Sequence, residues 1–176
     1  LIELRRNILR YLQDVDLLMI WENTPIKDRD NYRLDVSGLE GKVIFAGTDE
    51  NMYISYPLNQ AVRYAKEHGF THILTMDQDS CFEENHFRRY KEIVTSYDNL
   101  NIWGPNPNNS FQPVQNMPQS RSRLMTSGNI INLNLFDEIG LFREDYKIDC
   151  VDFEFCYRAI RNGHCVYSVN SILIHQ

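Results

Sequence analysis

Thr71-His72-Ile73-Leu74-Thr75-Met76-Asp77-Gln78-Asp79-Ser80 is the stretch whose reading decides the fold. A short apolar run, Ile73 to Met76, stops on two carboxylates. Apolar residues on consecutive positions suit a strand buried on both faces, as in a parallel sheet. Two Asp one residue apart cannot both enter a core without a large desolvation cost. They belong just past the carboxyl end of the strand, where open α/β sheets hold ligands. Two carboxylates in that place suit a hard divalent cation that also grips phosphate oxygens. The plainer alternative is a turn in which Asp79 or Ser80 caps the next helix.

Outward from this stretch, helical and strand patterns alternate. Leu1, Leu4, Ile8, Leu9 and Leu12 are spaced as one helix face, and Val15 to Trp21 reads as a strand ending at the polar turn Glu22-Asn23-Thr24-Pro25. Lys27 to Gly41 is loop-like, and Lys42 to Ala46 is a second strand. A helix from Pro57 to about His68 turns Leu58, Ala61, Val62 and Ala65 inward and stops at Gly69. After the opening stretch, Glu83 to Tyr97 is a helix and Asn101 to Gly104 a short strand. Pro105 to Gln119 is a long Pro/Asn/Gln loop, of the kind that in compact domains carries function. Asn129 to Leu133 is a strand, Leu135 to Ile139 a short helix, Asp149 to Asn162 a longer one, and Cys165 to Val169 and Ile172 to Ile174 closing strands. The pattern predicts one α/β domain over residues 1–176, with a mostly parallel central sheet. The chain does not begin with Met and stops after Gln176, so the expectation is a piece of a longer protein.

The 176 residues carry a net charge of −6, which argues against a nucleic-acid binder with a basic face. No apolar run approaches a membrane span. Cys81, Cys150, Cys156 and Cys165 lack zinc-ligand spacing and read as reduced packing residues. No Walker A loop and no dinucleotide-binding glycine fingerprint is present, so a nucleotide would be held by strand-end loops and a metal.

A second acidic cluster is Asp149-Cys150-Val151-Asp152-Phe153-Glu154-Phe155-Cys156-Tyr157-Arg158. Helix capping and a Glu154–Arg158 pair four residues apart explain much of it. A carboxylate beside Phe153 and Phe155 could also serve as a general base. Ser127-Gly128 before a strand reads as a tight turn, or as a place of close backbone approach to a ligand. His175 follows the last apolar run, as a strand-end residue or as a partner of Asp79 on a metal.

Taken in order, these segments resemble the family 2 glycosyltransferases of the GT-A fold, and more closely their bacterial rhamnosyltransferase-like branch. The series is Asn51…Asn59-Gln60-Ala61, then Leu74 to Ser80, then Thr126-Ser127-Gly128-Asn129-Ile130-Ile131. Phe136 to Phe142, Ile148 to Arg158 and the strand ending in His175 complete it. The resemblance implies a Rossmann-like three-layer sandwich and an inverting, metal-dependent sugar transfer. A nucleotide-sugar donor (dTDP-, UDP- or GDP-linked, with rhamnose as the branch's sugar) would supply a surface-polysaccharide or lipid-linked glycan acceptor. It implies Mg²⁺ or Mn²⁺ on Asp79, with Asp77 on the ribose or the metal and His175 as a late metal ligand. Glu22, Asn23, Asn51, Asn59 and Gln78 would bind the nucleotide-sugar, Ser127 and Gly128 would line the cleft, and Asp152 would be the base, with Asp149 as the alternative. Arg158 would face phosphate or pair with Glu154. The implied place of work is cytoplasmic, at the inner face of a membrane. Three departures stand out: Val151 replaces the acid that pairs with the base, Met52 and Tyr53 replace small residues, and the family's first strand has no counterpart here. The alternatives are a transferase-like scaffold without catalysis, and a haloacid-dehalogenase-like phosphohydrolase with Asp77 as nucleophile and Asp79 as acid/base.

Overall fold

The computed structural model describes residues 2–29, 34–39, 41–97, 101–107 and 117–175. Helix α1 (Ile2–Leu9) precedes strand β1 (Leu18–Glu22), which pairs in parallel with β2 (Val43–Gly47) from Leu18↔Val43 to Glu22↔Gly47. Helix α2 (Ser55–Glu67) leads to β3 (His72–Thr75), the strand of the opening stretch. Next come β4 (Cys81–Phe82), α3 (His86–Thr95), β5 (Ile102–Pro107), β6 (Gln119–Ser120) and β7 (Asn129–Asn132). Helices α4 (Leu135–Ile139) and α5 (Val151–Arg161) and the long strand β8 (Val166–His175) close the fold.

Strand periodicity sorts the side chains into two cores, one on each face of the larger sheet. Ile102 of β5 and Ile131 of β7 pack with Val62, Phe136, Phe155 and Ala159 from α2, α4 and α5. Their neighbours Trp103 and Ile130 point the other way, to Ile8 of α1 and to Phe87, Tyr90 and Val94 of α3. Adjacent residues of a strand alternate faces, so one sheet carries two helical layers. This is the expected three-layer α/β sandwich.

The pairing of the sheet corrects the expectation of mostly parallel strands. The larger sheet runs β3-β7-β5-β8-β4, with β6 on β8, and only β5–β8 in it is parallel. β3 pairs antiparallel with β7, from His72↔Asn132 to Thr75↔Asn129. Its apolar run is half-buried rather than enclosed on both faces, because its other edge carries no strand among the described residues. A continuous apolar run reports burial but not the direction of the neighbouring strand, which is why the sequence left this open. The two closing strands are one. Between Pro105↔Val169 and Asn106↔Leu173 the register slips, and the irregularity falls where the polar Asn170-Ser171 interrupts the apolar pattern. Glu83, expected inside α3, lies between β4 and that helix.

The cysteines are all free; only Cys156 is buried, its thiol pushed up to about 12 by burial, while Cys150 and Cys165 are exposed rather than packed. No helix among the described residues is long and apolar enough to cross a membrane. The middle of the Pro/Asn/Gln loop, 108–116, lies outside the described residues, as do 30–33 of the expected loop before β2.

Candidate functional site

Among the described residues no strand joins the β1–β2 pair to the larger sheet. Between β1 and β3 lies an open cleft of about 2600 Å³, with both strands in its walls. At the carboxyl ends of these strands the cleft gathers Glu22 and Asn23 from the end of β1, Asn51 and Tyr53 from the segment before α2, and Asp77, Gln78 and Asp79 from the end of β3. These residues are distant in sequence. The fold brings six of the predicted donor-binding and metal residues to one surface.

Asp77 is held in place by a strap from the segment before β7. Its backbone N–H donates to Ser127 Oγ at 3.2 Å, Gly128 N–H donates to Thr75 O at 2.7 Å, and Thr75 Oγ1 donates to Thr126 O at 2.5 Å. Gly128 has φ +86°, and a Cβ there would sit 2.5 Å from Pro105 Cγ. Only glycine meets both conditions. Ser127 and Gly128 are buried, so they fasten the end of β3 and do not line the cleft as expected.

The same strap reaches the second acidic cluster. Thr126 Oγ1 donates to Asp152 Oδ2 at 3.3 Å, and Asp152 Oδ1 accepts from Phe153 N–H at 2.8 Å. Asp152 stands in the first turn of α5, where the helix dipole favours a carboxylate. A small cavity of about 10 Å³ lies against it, walled by Thr75, Asn129, Phe142, Phe155 and Cys156, and the buried Asn129 Oδ1 has no hydrogen-bond partner among the described residues. Asp77, 75 positions before Asp152 in sequence, feels the charge of Asp152. Burial and then the charges of Asp79 and Asp152 hold the Asp77 carboxyl above its ordinary value. Thr126 was missed in the sequence. Its only signal there was its place beside Ser127-Gly128, and a hydroxyl aimed at a carboxylate leaves no pattern in one sequence.

Other expected residues do different work. Asn59 is 2% exposed and lies away from the cleft. Its amide donates to Phe142 O and Glu144 Oε1, each at 2.9 Å, and accepts from Phe142 N–H at 2.9 Å, pinning α2 to the segment after α4. Asn23 is half-buried; its Nδ2 donates to Tyr53 O at 2.6 Å and its Oδ1 accepts from Met52 N–H at 2.8 Å. Glu22 is free to meet a ligand. Hydrogen bonds from Thr24, including its N–H at 2.8 Å, lower the Glu22 pKa and keep it ionised. Of the two expected roles of Arg158, the structure shows the pairing with Glu154. The guanidinium forms a forked pair with Glu154 at 3.0 and 2.9 Å and donates to the carbonyls of Ile139 and Leu141, closing the end of α4.

The expected metal set is not assembled as a triad. His175 Nε2 lies 3.0 Å from Glu83 Oε1, and no group of three His, Cys, Asp or Glu side chains among the described residues could hold a metal ion. His175 is drawn to Glu83 because the pairing Cys81↔His175 carries it to the β4 side of β8. At the end of β3, Asp77 and Asp79 remain in the cleft as hard oxygen donors. Two carboxylates suit a Mg²⁺-like ion that takes its other ligands from phosphate and water.

No family model matches the chain. It is 25% identical over 173 residues to a dTDP-rhamnosyl transferase, RfbF, of Shigella flexneri, a match covering 85% of this chain and 58% of that protein. The chain thus spans little more than half the length of this relative. Among solved structures it superposes on GalNAc-T7 with UDP, GalNAc and Mn²⁺ at a TM-score of 0.81 and 11% identity, over 99% of this chain and 41% of that one. It also superposes on Staphylococcus aureus TarS 1-349 in complex with UDP-GlcNAc, at 0.66 and 11% identity, over 98% and 54%. The fold is the GT-A fold of glycosyltransferases.

Proposed function

We propose that this chain forms the donor-binding and catalytic core of an inverting glycosyltransferase. The observation that carries the reading is the convergence of two acid clusters: Asp77 and Asp79 at the cleft end of β3, and Asp152 within electrostatic reach of Asp77. One cluster suits a diphosphate and its cation, the other suits proton removal.

In this reading the nucleotide-sugar lies along the carboxyl ends of β1 and β3. The ionised Glu22 accepts hydrogen bonds from its hydroxyls. Mg²⁺ or Mn²⁺ on Asp77 and Asp79 would supply positive charge against the departing nucleoside diphosphate. Asp152, held by Thr126, takes the proton of an acceptor hydroxyl as its oxygen bonds the anomeric carbon. The bond to the diphosphate oxygen breaks on the opposite face, inverting the centre. A positioned base of this kind contributes about 10²–10⁴-fold in rate. Similarity to the dTDP-rhamnosyl transferase supports dTDP-rhamnose as the donor. In this reading the acceptor is a surface-polysaccharide or lipid-linked glycan at the inner face of a membrane.

The test is release of nucleoside diphosphate from a panel of dTDP-, UDP- and GDP-sugars by the full-length protein, beside its Asp152→Asn variant. Transfer should fall at least a hundredfold in the variant, with donor affinity within about twofold of wild type. Undiminished turnover would remove Asp152 as the base. A wild-type protein that binds donors without transferring would mark a binding module, and release of phosphate from phosphomonoesters a phosphohydrolase.

A further inference from the structure

Tyr53 stands in the wall of the cleft beside Glu22, Asn23 and Asn51, and the proposed reaction gives it no role. Its φ is +60°, a left-handed conformation that a bulky residue rarely adopts. Such strain persists only where the surroundings over-determine it. Here they do. Asn51 Oδ1 accepts Tyr53 N–H at 2.8 Å, and Asn23 grips both sides of the same segment, at Met52 N and Tyr53 O. The next residue, Ile54, donates its N–H to Lys147 O at 3.0 Å, while Lys147 Nζ lies 4.8 Å from the centre of the Tyr53 ring.

This apparatus does not serve the interior. Tyr53 belongs to neither hydrophobic core, and the residue is 39% exposed. Two asparagines therefore fix the strained backbone of Tyr53, and Lys147 lies against its ring, in the wall of the cleft that Glu22 also lines. A fixed, accessible aromatic ring offers its π-surface to a flat ligand, and it does so with little loss of conformational freedom on binding.

We propose that Tyr53 is the platform on which the base of the nucleotide donor stacks, and that Asn23, Asn51 and Lys147 are positioning residues that present it. The proposal rests on the donor-binding reading of the cleft. It assigns a specificity role to a residue at which this chain departs from the small residues of the family it resembles.

Calorimetric titration of the full-length protein with UDP, dTDP and GDP, and separately with inorganic pyrophosphate, all with Mn²⁺, tests it. Tyr53→Phe keeps the ring and should bind nucleotides like wild type. Tyr53→Gly should bind them about tenfold more weakly, the scale of a lost base–aromatic stack, with pyrophosphate unchanged. Because glycine adopts φ +60° freely, the melting temperature of Tyr53→Gly should equal or exceed that of wild type. Equal nucleotide affinity in Tyr53→Gly overturns the proposal and leaves the donor site standing. So does a parallel loss of pyrophosphate affinity and melting temperature, which marks a structural residue. Absence of nucleotide binding by the wild-type protein overturns the donor site itself, and this proposal with it.

Discussion

Asp77 ionises against its own burial and against the charges of Asp79 and Asp152. Its pKa in the folded chain lies above that in the unfolded chain. The folded state holds this proton more tightly, so the contribution of Asp77 to stability is present at acid pH and is lost as pH rises through the raised value. At neutral pH the carboxylate therefore weakens the fold in the absence of a cation. The carboxyl is only partly enclosed and solvent screens the effect, so the magnitude is modest. Asp77→Asn should raise the melting temperature of the ligand-free protein at pH 7 by about 2 °C. The gain should vanish near pH 3, and nucleotide affinity in the presence of Mn²⁺ should be lost. A residue that merely capped the following turn would show the opposite sign in the melting experiment.

The elements meet through side chains that look functional in the sequence. Asn59 sits in a segment that resembles a donor-binding motif, yet its amide joins α2 to the chain around Phe142 and Glu144. Asn59→Ala removes three hydrogen bonds at a buried position and should cost about 2–4 kcal/mol in urea unfolding. The donor affinity of the folded protein should be unchanged. The helices and their inward faces were legible because apolar residues recur at helical spacing, as in Phe87, Tyr90 and Val94 of α3. The site was legible only as separate clusters. One sequence shows which side chains can bind or move a proton. It does not show whether an amide such as that of Asn59 faces a ligand or a neighbouring backbone. The two-residue β4, the antiparallel partner of β3 and the Thr126–Asp152 contact all depend on pairings across the chain, which leave no local period to read.

At the scale of the molecule, the β1–β2 pair and the larger sheet are unequal. β5 and β8 lie inside the sheet with helices on both faces, whereas among the described residues β1 has one partner strand and one wall of open cleft. Local stability follows enclosure, so amide hydrogen exchange should be fast at Leu18–Glu22 and Val43–Gly47 and slow at Ile102–Gly104 and Val166–Val169. A nucleotide that contacts both walls should slow exchange at β1 as well as around Asp77. Protection at Asp77 alone would place the ligand on the larger sheet only.

Among the described residues β1 and β3 each leave one edge without a partner strand, which has a consequence for this segment in solution. An edge with unpaired N–H and C=O groups is a template for any extended chain that reaches it. Among the described residues two such edges, β1 and β3, face a common cleft with apolar walls that include Ile20, Ile73 and Leu74. The same opening that admits a donor admits a strand of another polypeptide. The net charge of −6 opposes self-association through repulsion, and that protection weakens as salt rises or as pH falls toward the pI near 5.3. Dilute, low-salt, mildly alkaline solution is therefore the condition in which this cleft stays open to small molecules rather than closing on another chain.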